Sequence, residues 1–71
     1  MSYEQLDGRE TLNAISDAFR KCTTLAELHA ETEKGRPHLP KIKAWNVGWH
    51  EWLRECWKYH KNRIEGKYGN N

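Results

Sequence analysis

All four tryptophans of this chain fall at Trp45, Trp49, Trp52 and Trp57, in a run that also carries Ile42, Leu53, Cys56 and Ile64. Most of the spacings are three or four, those of one face of an α-helix. At about 100° per residue the set, with Tyr59 and His60, fills an arc of roughly 160°. A single packing surface covers a stripe of only about 100°. A helix with so much apolar circumference has to be met from more than one side.

The rest of the chain has little to meet it with. Seventy-one residues make one small domain. A mean hydropathy of -1.08 leaves few core candidates, though aromatic rings compensate because each buries about 150–250 Å². Asp7 followed by Glu10 is a capping box, and Leu12, Ile15, Phe19 and Cys22 follow at helical spacing. Thr24 with Glu27 is a second one, ahead of Leu25 and Leu28, with Gly35 as a stop signal. Pro37 and Pro40 mark a turn, and Pro40 suits the first turn of the next helix.

These signals predict an all-α fold of three helices, 8–22, 25–34 and 41–65, two short ones laid against one long, Trp-rich amphipathic helix. Asn46 and Gly48 are the weak point of the third, which either starts at Lys41 or begins near Asn46. The expected core is Leu12, Ile15, Phe19, Leu25, Leu28, Ile42, Trp45, Trp49, Trp52, Leu53 and Cys56. Residues 1–7 read as a flexible N-terminus, 8–65 as one helical domain and 66–71 as a flexible tail.

No run approaches the roughly 18–20 apolar residues of a membrane span, and the start has neither a basic nor an apolar leader segment. The chain reads as cytoplasmic and complete, with Cys22 and Cys56 as thiols. It has no Gly-rich loop or oxyanion-hole signature, and too little length to enclose a substrate pocket of about 300 Å³. We expect no enzyme activity and no cofactor. Cys56 and His60 stand one helical turn apart, and Cys22, His29 or His38 would complete a tetrahedral zinc set. No C-x-x-C knuckle accompanies them and both lie in the apolar arc, so a core thiol and a core histidine are expected in place of a metal site.

Charge is segregated: residues 1–35 carry net -3 and residues 36–71 net +5, with every tryptophan in the basic half. Beside Trp57 on the helical wheel come Lys43, Arg54, Lys58 and Lys61, which makes two readings. The leading one is a non-enzymatic protein-binding module or homo-oligomer anchored on Trp52, Trp57, Tyr59, Arg54 and Lys58, since Trp, Tyr and Arg are the enriched anchors of interfaces. The alternative is single-stranded nucleic-acid binding through Lys43, Arg54, Lys58 and Lys61, with Trp57 stacking on bases. Glu51, Glu55 and Glu65 on the same helix weigh against the second.

The stretch Ile15 to Leu28, with Cys22-Thr23-Thr24 closing one helix and Leu25-Ala26-Glu27-Leu28 opening the next, resembles a helical motif near the C-termini of phage single-strand annealing recombinases and related phage DNA-metabolism proteins. It covers about a fifth of the chain. The resemblance implies a small phage-encoded accessory or regulatory protein that binds a host or phage partner. No family site residue carries over, because annealing in that family belongs to a larger domain and the tryptophan-rich third helix departs from the pattern.

Overall fold

In the computed structural model, which describes residues 3–66, every regular element is helical. Helix α1, Gly8–Lys21, starts at the first capping box: the Glu10 amide donates to Asp7 Oδ1 at 2.7 Å, and the Asp7 amide to Glu10 Oε1 at 3.1 Å. Helix α2, Leu25–Gly35, starts at Thr24, whose hydroxyl accepts from the Glu27 amide at 3.1 Å. The return bond is displaced by one residue. Glu27 Oε1 accepts from the amide and the hydroxyl of Thr23, at 2.8 and 3.0 Å, so its carboxylate caps the residue before the N-cap.

Gly35 does not end α2 by adopting the left-handed conformation; its φ is -86° and the chain runs on through a short 3-10 turn, Arg36–His38. What Gly35 provides is space, since a Cβ there would come within 2.8 Å of Ile15 Cδ1. Helix α3, Leu39–Trp45, then begins two residues earlier than the sequence suggests, with Pro40 in its first turn.

The long third helix is two helices. At Asn46 the backbone is extended (φ -163°, ψ 108°), and helix α4, Val47–Ile64, starts afresh. One residue serves both ends. Its amide donates to Ile42 O at 2.8 Å, closing α3, while its side-chain Oδ1 accepts from the Trp49 amide at 3.2 Å, opening α4. Asparagine favours this role because its amide oxygen satisfies donors that the first helical turn leaves orphaned.

The break redistributes the core. Leu12, Ile15, Phe19, Cys22, Leu28, Ile42 and Leu53 are buried, with Tyr3, Leu39, Trp57 and Ile64 packed against them. Trp45, Trp49 and Trp52, expected inside, are exposed, and Leu25 and Cys56 are only half-buried. A wheel drawn on one continuous axis overstates how many aromatic residues can face α1 and α2 together. Once the axis turns at Asn46, α3 buries Ile42 and α4 buries Leu53, and those two residues fill the space.

Residues 3–6 are tied to this framework. Tyr3–Gln5 form a 3-10 turn, and Lys41 Nζ donates to Tyr3 O at 2.8 Å and Leu6 O at 2.7 Å. Of the tail, Gly66 sits at φ +78° and the remainder lies outside the described residues, as do Met1 and Ser2.

Helix α1 meets α3 at Gly8, where an added Cβ would lie 2.5 Å from Trp45 Cβ and 3.0 Å from Lys41 O. Helix propensity alone favours Gly8→Ala by up to about 1 kcal/mol. The contact with a backbone carbonyl reverses that sign, so urea unfolding of Gly8→Ala should show a loss of about 1–3 kcal/mol.

Candidate interaction face and cleft

Helix α4 separates two surfaces. On one side Trp45, Trp49, Trp52 and Tyr59 stand out with 44%, 43%, 43% and 52% of their surface exposed. Trp49 and Trp52 meet edge to face with centroids 5.3 Å apart, and Tyr59 meets His60 the same way at 5.1 Å. Between this aromatic row and the polar side of α1 run two adjoining grooves, one holding Arg9, Trp45 and Trp49, the other Arg20, Cys56 and Tyr59, with Asn13 and Trp52 common to both. The α1 wall carries an ion-pair cluster in which Asp17 receives Arg20 and, at 3.2 Å, Lys21. The hydrogen bond and charge of Lys21 lead in holding the Asp17 carboxyl below its ordinary value, with Arg20 adding to them.

On the other side of α4 lies an open cleft of about 260 Å³ whose apolar walls include Phe19, Leu39, Leu53 and Trp57. Trp57 is set there by a bond invisible to helical periodicity: its indole Nε1–H donates to Thr32 Oγ1 at 2.8 Å, and the Thr32 hydroxyl donates in turn to Leu28 O at 2.7 Å. His29 closes on the same ring edge to face, at 6.2 Å.

The residues singled out in the sequence are therefore divided. Trp52 and Tyr59 lie on the aromatic face, as an exposed anchor set requires. Trp57 does not join them; it is half-buried with its polar atom satisfied, which corrects its reading as an exposed anchor. Arg54 and Lys58 stand at the rim of the cleft, paired along the helix with Glu51 at 3.5 Å and Glu55 at 3.4 Å. Lys61 is half-buried and pairs with Glu65 at 3.3 Å, while Lys43 is exposed on α3. Three of the four basic residues thus face a carboxylate of their own helix, and the tryptophan proposed to stack on bases is turned inward. Sequence reading missed Trp45 and Trp49 as surface residues and gave Thr32 no role; the polar break at Asn46 was the one signal for the first.

Among the described residues no three His, Cys, Asp or Glu side chains converge on a metal position. Cys22 donates its thiol to Ala18 O at 3.2 Å, and burial pushes the thiols of Cys22 and Cys56 above their ordinary value. No helix among the described residues is long and apolar enough to cross a membrane. No protein family, curated protein or solved structure matches the chain.

At the junction of α1 and α4, Arg63 Nε donates to His60 Nδ1 at 3.2 Å and Arg63 Nη2 to Cys22 O at 3.0 Å. Burial first, then the charges of Arg63 and Arg20, holds His60 below the ordinary histidine value of 6.5. The folded state therefore favours neutral His60 and binds fewer protons than the unfolded chain. The stability this gives is present above pH 6.5 and is lost as pH falls through the lowered value, so thermal unfolding of wild type should drop more between pH 7.5 and 5 than that of His60→Gln.

Thr32→Val keeps the volume but strands the indole N–H, and denaturant titration should show a loss of about 1–3 kcal/mol. Trp52→Ala, on the exposed side, loses the edge-to-face contact with Trp49 and should cost about 0.5–1.5 kcal/mol in the same titration.

Proposed function

We propose that the chain is a non-enzymatic protein-interaction module whose contact surface is the aromatic face of Trp45, Trp49, Trp52 and Tyr59. The observation that carries this reading is the exposure of three of the four tryptophans on one side of a 71-residue chain. Together with Tyr59 they present an apolar patch of a few hundred Å², a size that on monomeric proteins is often a binding surface. Trp and Tyr are also the residues that most often supply interface hot spots, because a large rigid ring gains contact area at small entropic cost.

The face is also chemically mixed. Arg9 and Arg20 on the α1 wall line the same grooves as the rings, and Arg is enriched with Trp and Tyr among hot-spot residues. The setting implied by the recombinase-like stretch, a small phage-encoded accessory or regulator, draws on none of these four rings and shares with their grooves only Ser16, Asp17 and Arg20. Ile15, Phe19, Cys22 and Leu28 of that stretch are buried, so its apolar residues support folding. The proposal accordingly rests on the aromatic surface.

The test is capture of a partner from a host lysate by the tagged full chain, with and without nuclease, using Trp52→Ala and Trp49→Ala beside wild type. A protein captured regardless of nuclease, and lost with either variant by about 30-fold or more in affinity, supports the reading; hot-spot truncations cost about 2 kcal/mol or more. Capture that nuclease abolishes, and an oligonucleotide affinity falling with a log–log salt slope of about -2 to -3, would instead support strand binding through Lys43, Arg54, Lys58 and Lys61.

A further inference from the structure

The cleft on the far side of α4 has a composition that the aromatic face lacks. Its walls are apolar, yet its rim carries Arg54 and Lys58, and no carboxylate lines it. Both cations are largely exposed and held only by pairs of 3.5 and 3.4 Å to Glu51 and Glu55. Such solvent-exposed pairs are weak enough to be exchanged for another anion. Trp57 is fixed against rotation by Thr32, so this wall of the cleft is already formed.

His50 adds a second asymmetry. Its imidazole lines the cleft, and its Nδ1 is shut from solvent with no hydrogen-bond partner.

Size limits the occupant. An apolar cavity of about 150 Å³ accepts benzene, so 260 Å³ holds about ten heavy atoms by proportion. We propose that this cleft binds a small monocarboxylate of about eight carbons in all, its alkyl body against Phe19, Leu39, Leu53 and Trp57 and its carboxylate between Arg54 and Lys58. The charge of the rim selects the anion and the walls select the chain. This goes beyond the interaction module and uses none of the residues of the aromatic face.

The probe is octanoate, with octanol as the neutral control, titrated into isotopically labelled full-length chain and read by amide and indole resonances. The expected result is saturable binding that moves the Trp57 Nε1–H resonance and leaves those of Trp45, Trp49 and Trp52 in place. Octanol should bind about 10-fold more weakly, the scale of one charge-assisted contact at a partly exposed site. Arg54→Gln with Lys58→Gln, both surface changes that leave the core intact, should bring octanoate down to the octanol value.

Equal affinity for the two probes overturns the proposal. So do shifts centred on Trp45, Trp49 and Trp52, or no saturation by about 10 mM, weaker than the millimolar range expected of a ligand of this size. A Trp57 resonance that moves on dilution of the protein alone assigns the cleft to a second copy, and overturns it too. Loss of partner capture by Trp52→Ala has no bearing on these outcomes, so the two readings fail separately.

Discussion

The two hydrogen bonds at Asn46 decide what this molecule shows to its surroundings. A continuous helix from Leu39 to Ile64 would wind its tryptophans around one axis and turn most of them toward α1 and α2. By closing α3 with its amide and opening α4 with its side chain, Asn46 lets the axis turn while pairing its own amide and that of Trp49. Ile42 and Leu53 then take the two inward positions. Trp45, at the end of α3, and Trp49 and Trp52, in the first turns of α4, are left outside. A single polar residue thus converts an apolar surplus into a surface.

Helix α4 acts as a partition because its two exposed sides are built for different chemistry. The side toward α1 has rings whose edges and faces are accessible, bordered by Arg9 and by Arg20, the latter already paired with Asp17 within α1. The side toward α2 has one ring locked by a hydroxyl that both donates and accepts. That hydroxyl belongs to Thr32, in the interior of α2, where a threonine bonding to the carbonyl four residues back is a neutral-to-poor helix former. Its gain is the indole of Trp57, whose burial without a partner would cost more than the local propensity penalty.

What was legible in the sequence is what is written locally. Asp7, Glu10, Thr24 and Glu27 carry their capping roles within four residues, and the α-helical spacing of Leu12, Ile15 and Phe19 puts them in the core. Gly35 reads from sequence as a stop signal, whereas its role is set by Ile15, twenty positions earlier. The tryptophans were misplaced for a related reason: angular position on a wheel assumes a common axis, and Asn46 removes it. Trp57 looked like an anchor because its partner, Thr32, lies on another helix 25 residues away.

The side chains that join distant elements are few, and they connect far-separated parts of the chain. Lys41 reaches back 38 and 35 residues to Tyr3 and Leu6, and Arg63 reaches back 41 to Cys22. Together with the Trp57–Thr32 bond across 25 residues, these ties set the loops that must close before the structure is complete. Arg63 sits in the last turn of α4 and grips the end of α1, so the final helix is fastened to the first. A ribosome releasing this chain would have to expose α4 to its last turn before that lock could form. The early helices, α1 and α2, would meanwhile have only each other to pack on, with Ile15 and Leu28 incompletely covered until Ile42 and Leu53 arrive.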